Sequence, residues 1–150
     1  MKREDKELLI KDLCARLPYG VICEDGYSNV LELNSIDKPN TVTFKCSDNT
    51  FCTADLDKCK PYLFPISNMT EEQKEELIII TDGKFRYMWG DITNAIPRKN
   101  TSEWGISENA FINGIKVINI LYIWLLKNYF DINGLIPMGL AHNATNLNIY

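Results

Sequence analysis

Apolar residues along the first stretch of the chain recur with a helical period. In "EDKELLIKDLCARL", Leu9, Ile10, Leu13 and Leu17 fall three or four residues apart, which makes one stripe and predicts a helix over 4–17. Asp12 and Arg16 stand one turn apart on it and can pair. Pro18 ends it, because a proline ring cannot follow a helical turn. The period then drops to two. "YGVICE", "SNVLELNSI", "TVTFKC" and "TFCTA" read as four short strands. Asp25-Gly26, Pro39-Asn40 and Ser47-Asp48-Asn49 supply the turns between them. In "TVTFKC", Val42, Phe44 and Cys46 share one face and Thr41, Thr43 and Lys45 the other. The pattern predicts an antiparallel meander, curled like an SH3 barrel and covered by the first helix. Tyr62, Leu63 and Phe64, held between Pro61 and Pro65, are expected to strap across that sheet.

A second helix starts at Thr70. Thr70 and Gln73 have the capping-box spacing, and Glu71 and Glu72 sit in the first turn, where the helix dipole favours negative charge. From Asp82 to Gly105 the period is lost. Ser107 is the expected N-cap of a long helix from Glu108 to about Tyr129, with Phe111, Ile115, Ile118, Tyr122, Leu125 and Tyr129 on its main stripe. Val117, Ile120, Leu121, Ile123 and Trp124 make its other sides apolar too, so it belongs either in the core or against another subunit. The tail "NYFDINGLIPMGLAHNATNLNIY" is broken by glycine, proline and asparagine, yet Leu135, Ile136, Met138, Leu140, Leu147 and Ile149 stay apolar. Such a tail must lie on something, and a strap over the protein's own core is the preferred reading. The fold class is therefore α+β in one domain, residues 1–150. A helix plus SH3-like meander fills 1–66. Two helices and an irregular C-terminal strap fill 67–150, with an irregular insertion at 82–106.

Size and composition agree with this picture. With 150 residues, 45% hydrophobic and 24% charged, the chain can build one sizeable core. The formal net charge of −4, with 16 basic residues scattered among 20 acidic ones, disfavours nucleic acid as the main partner. "VINILYIWLL" at 117–126 is far shorter than the roughly 20 apolar residues that span a bilayer, so no membrane is expected. "MKREDKELL" places charges where a signal peptide needs an apolar run, which implies a cytoplasmic protein with free thiols.

Candidate chemistry is sparse. His142 is the sole histidine, and no spacing assigns it one of the five cysteines as a nucleophile. Cys46, Cys52 and Cys59 lack the close pairing that structural zinc prefers, and Cys46 reads as a core thiol. Glu71, Glu72, Glu75 and Glu76 form a solvated helix face. No phosphate-binding glycine loop is present. No catalytic residue, metal site or cofactor is expected. The most suggestive stretch is "KFRYMW" with the residues after it. Arg86, Tyr87, Trp89, Arg98 and Trp104 combine flat aromatic faces with guanidinium groups and a basic character suited to an anionic ligand. The same stretch alternates as a plain edge strand would, with Phe85, Tyr87 and Trp89 on one side.

Three blocks in order, "KDLCARLPYGV" at 11–21, "KPYLFPISNMTEEQKEE" at 60–76 and the tail at 128–150, resemble a family of small uncharacterised proteins of gut anaerobes and their phages or prophages. The resemblance implies a phage-type accessory protein and carries no catalytic residues with it; residues 81–106 depart from the family's pattern. Together these readings favour a non-catalytic binding protein, not an enzyme. It would counter host defence by sequestering a small anionic, nucleotide-like signal or by blocking a host protein, with homo-oligomerisation through the 108–129 helix as a further expectation. The alternatives are a small nucleotide-acting enzyme that uses His142 or acidic residues, and an oligomeric structural or adaptor protein.

Overall fold

A computed structural model describes residues 1–38, 40–46, 48–81 and 108–150. Among the described residues it is an α+β structure: an N-terminal helix, a six-stranded, mostly antiparallel sheet, and two further helices. Helix α1 spans Arg3–Arg16 and tightens into a single 3-10 turn at Leu17–Tyr19 before Gly20, whose φ of 71° lets the chain reverse. Strands β1 (Ile22–Glu24), β2 (Val30–Lys38), β3 (Thr41–Lys45) and β4 (Phe51–Asp55) form the expected meander. A 3-10 turn at Leu56–Lys58 then returns the chain to β5 (Lys60–Leu63), which pairs antiparallel with β1.

The strand order β4-β3-β2-β1-β5-β6 makes the first four strands a meander, and the fifth comes back beside the first. Register shifts between Leu33 and Ser35 and between Ile36 and Lys38 put bulges into β2, and bulges add twist and bend to a strand. Tyr62, Leu63 and Phe64 do not strap over the sheet: Tyr62 and Leu63 belong to a strand within it, and Phe64 bridges to Phe130. Pro61 sits opposite Cys23, and Tyr62, Leu63 and Pro61 are all buried. The proline lacks a donor, so its place in the ladder is one where no N–H is required.

Contacts divide the chain into two compact units, residues 1–68 with 125–150, and residues 69–124. The first unit holds the core. Leu9 and Leu13 of α1 meet Val21, Cys23, Leu33, Val42, Phe44, Leu56, Cys59 and Leu63 of the sheet and its turns. The tail closes it: Leu135, Leu140 and Ala141 belong to the same cluster, and β6 (His142–Asn143) pairs in parallel with β5. The strap is uneven, since Met138 and Leu147 are exposed.

Helix α2, Glu71–Ile80, begins in the second unit with the capping box in place: the Gln73 N–H donates to Thr70 Oγ1 at 3.2 Å, and the Thr70 N–H donates to Gln73 Oε1 at 2.9 Å. Helix α3 spans Glu108–Lys127 and stops two residues short of the expected end. The Phe130 N–H reaches the Leu125 carbonyl and the Tyr129 N–H the Leu126 carbonyl, with Tyr129 at φ 58°. That is the Schellman closure with tyrosine where glycine is usual. The buried face of α3 differs from the expected stripe. Val117 and Trp124 are buried, whereas Ile115, Ile118, Ile120 and Tyr122 are exposed. A helix apolar all round leaves its orientation to the tertiary context.

Candidate functional site

The residues singled out for ligand contact, Arg86, Tyr87, Trp89, Arg98 and Trp104, lie outside the described residues, as does the whole 82–106 insertion and the Ser107 cap. The functional groups that the structure does place belong to the sheet, its tail and the exposed face of α3.

At one edge of the sheet three titratable side chains meet. Glu24 comes from β1, Tyr62 from β5 and His142 from β6. Strand alternation explains the meeting: Cys23 and Leu63 point into the core, so their neighbours Glu24 and Tyr62 point to the other face. The parallel pairing of Tyr62 with His142 then lays the imidazole on the phenol ring, with centroids 5.0 Å apart at 28°. Tyr62 Oη donates to Glu24 Oε2 at 3.3 Å. His142 Nε2 stands 3.3 Å from the same oxygen, within ion-pair range but off the line of a hydrogen bond. Burial, followed by the Glu24 charge and hydrogen bond, pushes the Tyr62 phenol above its ordinary pKa, so it stays a neutral donor. About a third of the His142 side chain, 34%, is open to solvent. The cluster can hold or pass a proton at the surface of the sheet.

The tail adds a second aromatic group behind it. Tyr150 Oη donates to the Tyr62 carbonyl at 2.7 Å and accepts from the Ile22 N–H at 3.3 Å, and its ring stacks on Tyr129 at 3.7 Å. Although 42% of Tyr150 is exposed, its hydroxyl is inserted between β1 and β5, and burial there pushes its pKa strongly upward.

Beneath the sheet the ionic pair foreseen between Asp12 and Arg16 is fully buried, with both side chains at 0% exposure. Arg16 Nε donates to Asp12 Oδ2 at 2.7 Å, while its Nη2 donates to the Phe130 carbonyl at 2.7 Å and its Nη1 to the Leu126 carbonyl at 3.5 Å. Asn133 Nδ2 donates to Asp12 Oδ1 at 2.7 Å. The bonds to Leu126, Phe130 and Asn133 tie α1 to the end of α3 and to the tail. The pair is an anchor, and it is closed to solvent.

The cysteines sort into three environments. Cys14 is exposed on α1. Cys23 and Cys59 are buried at 0% exposure, where burial first and then their mutual hydrogen bond drive the Cys23 thiol well above its usual range. Cys46, read from the sequence as a core thiol, is only half-buried and lies 3.0 Å from Cys52, Sγ to Sγ. Among the described residues no group of three or more His, Cys, Asp or Glu side chains is arranged to hold a metal.

Open clefts flank these elements. One of about 370 Å³ is lined by Val30, Leu31, Glu32, Lys45, Cys46 and Asn49. One of about 380 Å³ lies along α3 over Ile115, Lys116, Ile118, Asn119 and Tyr122. Among the described residues no helix is long and apolar enough to cross a membrane. No protein-family model, curated protein or solved structure matches the chain.

Sequence reasoning missed the partners of His142 and the pairing of Cys46 with Cys52. Both follow from register. The second was within reach, because a hairpin centred on Asp48, with Phe44 opposite Cys52, brings positions 46 and 52 to one face. The first needed the pairing of β6 with β5, which no local pattern announces.

Proposed function

We propose that the protein acts by binding, and that the face of α3 carrying Ile115, Ile118 and Tyr122 is a contact surface for another protein chain. The exposure of these residues supports the reading: Ile115 is 51%, Ile118 56% and Tyr122 41% open to solvent, and the three line one cleft. Apolar side chains clustered on one helix face have a free-energy reason to be covered, at about 25 cal/mol per Å² of apolar surface. The resemblance to phage and prophage proteins favours a host protein as the partner and interference with host defence as the purpose, and self-association through the same helix uses the same surface. The aromatic–basic residues Arg86, Tyr87, Trp89, Arg98 and Trp104 supply the second half of the proposal, capture of a small anionic, nucleotide-like signal.

Light scattering across a concentration series, on wild type and Ile118→Asp, tests the surface. A wild-type oligomer that the substitution dissociates, with an unchanged melting temperature, supports it. An oligomer unaffected by Ile118→Asp and Ile115→Asp puts the interface elsewhere. For the ligand, wild type is mixed with cyclic nucleotides and ADP-ribose derivatives, then denatured. Intact ligand recovered from wild type but not from Arg86→Ala/Trp104→Ala supports capture.

The Glu24–Tyr62–His142 cluster favours one rival, an enzyme acting on a nucleotide. It has an imidazole, a carboxylate and a phenol within reach of one another at a surface, which are groups suited to general acid–base work. Altered ligand in the same mixing experiment, lost in His142→Gln, would replace the binding proposal with this one.

A further inference from the structure

Two thiols lie side by side on the β3–β4 hairpin, and their placement goes beyond any binding role of α3. Cys46 follows the last residue of β3, and Cys52 is the second residue of β4, opposite Phe44. Their sulfurs are 3.0 Å apart. The hairpin that holds them is well bonded: the Cys46 N–H donates to the Thr50 carbonyl at 2.9 Å, the Asn49 N–H to the Cys46 carbonyl at 3.0 Å, and Asp48 Oδ1 accepts from the Thr50 N–H at 3.0 Å. A disulfide bond is about 2.05 Å long, so the sulfurs need to approach by only about 1 Å more. The other proximate pair, Cys23 and Cys59, is sealed in the core, and Cys14 stands alone on α1. Cys46 by contrast lines the 370 Å³ cleft, together with Lys45, Glu32 and Asn49.

The geometry points to Cys46 and Cys52 as a reversible dithiol modification site, oxidised to a hairpin disulfide by a low-molecular-weight disulfide of the glutathione type. The Cys46 thiolate attacks one sulfur of the small disulfide; that S–S bond breaks and one glutathione leaves as thiolate. Cys52 then loses its proton to solvent and attacks Cys46 Sγ, expelling the second glutathione. The protein gives up two electrons and two protons, and the small disulfide becomes two thiols. The order follows from the site. Cys46 faces the cleft, while the Cys52 thiol is pushed up to about 11, mainly by its hydrogen bond with Cys46 and then by burial, so it remains protonated and is held back for the second step. The second step is intramolecular between adjacent groups, and so outruns release of the mixed disulfide.

Native wild-type protein incubated with glutathione disulfide, quenched with an alkylating agent and mapped by mass spectrometry provides the test. Two of the five thiols should become inaccessible, in a Cys46–Cys52 linked peptide two hydrogens lighter than its reduced form, and dithiothreitol should restore both. Cys52→Ser should stop at a stable glutathione adduct on Cys46, and Cys46→Ser should leave Cys52 unmodified. The proposal is overturned if Cys14 is glutathionylated while Cys46 and Cys52 stay free, or if wild type accumulates an unresolved adduct on Cys46. The wild-type map decides the matter even where a serine variant folds poorly.

Discussion

Arg16 is the side chain on which the most separate parts of the first unit converge. Its guanidinium satisfies the Asp12 carboxylate, the Leu126 carbonyl in the last turn of α3 and the Phe130 carbonyl in the tail, at 0% exposure. Removing one member of a buried ion pair leaves the other charge without compensation, which costs about 3–5 kcal/mol. Arg16→Met should lower the free energy of unfolding by that amount in a denaturant titration, and Asp12→Leu/Arg16→Met should recover part of it, because the orphaned carboxylate is gone. The spacing of the pair was visible in the sequence, but its burial was not: an i,i+4 ion pair looks the same on a solvated face, where it contributes only a few tenths of a kcal/mol. Asp25 carries a pH dependence of its own. Burial pushes its carboxyl up, but the Asn29 side chain and the N–H groups of Tyr27 and Asn29 outweigh that and hold it below the usual range. A depressed folded-state value means that the stabilisation is complete above about 3.9, the unfolded value, and is lost as pH falls through the folded one. Between pH 5 and pH 2 the melting temperature of Asp25→Asn should therefore fall less steeply than that of wild type.

Among the elements, helices with distinct ends were readable and helices with uniform faces were not. Thr70 and Gln73 fixed the start of α2 because a capping box is a local bond pattern that needs no tertiary partner. From Val117 to Leu126 every residue of α3 but Asn119 is apolar, so the period gives little direction there, and the expected stripe through Ile115, Ile118 and Tyr122 is the exposed one. The consequence is measurable. Val117→Asp puts a charge at a position 6% exposed and should cost several kcal/mol, whereas Ile118→Asp, at 56% exposure, should change stability by less than about 0.5 kcal/mol. Chemical denaturation of the two variants checks which side of the helix is inside; equal losses would mean that both sides are covered. For β5 the signal was there but masked by Pro61 and Pro65, which read as strand breakers. The alternation of Tyr62 and Leu63 between the two faces of the sheet was the better guide.

At the scale of the whole molecule, the tail is what turns a meander and a helix into a closed unit. It begins with Tyr129 in a left-handed conformation, turns on Asp131, whose carboxylate accepts from the N–H groups of Leu135 and Ile136 at 2.8 Å each, and turns again at Gly139 with φ 72°. It then joins the sheet through the Ala144 N–H, which donates to the Leu63 carbonyl at 2.8 Å. The sequence announced that this apolar, broken segment must cover a surface; which residues do so depends on turns whose directions only the assembled core selects. Leu135 is fully buried and Met138 is 47% exposed, so Leu135→Ala should cost about 2–5 kcal/mol and Met138→Ala close to nothing. The last anchor is Tyr150. Its hydroxyl can donate to the Tyr62 carbonyl only while it keeps its proton, and burial raises its pKa. A raised folded-state value means that the stabilisation is intact below the unfolded value of about 10 and disappears as pH climbs through the folded one. Tyr62 and Tyr129 are shifted in the same direction by burial, so all three phenols oppose alkaline conditions. Thermal unfolding from pH 8 to pH 11 should show a fall in wild type that is shallower, from a lower starting point, in Tyr150→Phe. If the variant melts as wild type does at every pH, the tail is held by its leucines and the Ala144 ladder bond, and the Tyr150 hydroxyl contributes nothing to closing the unit.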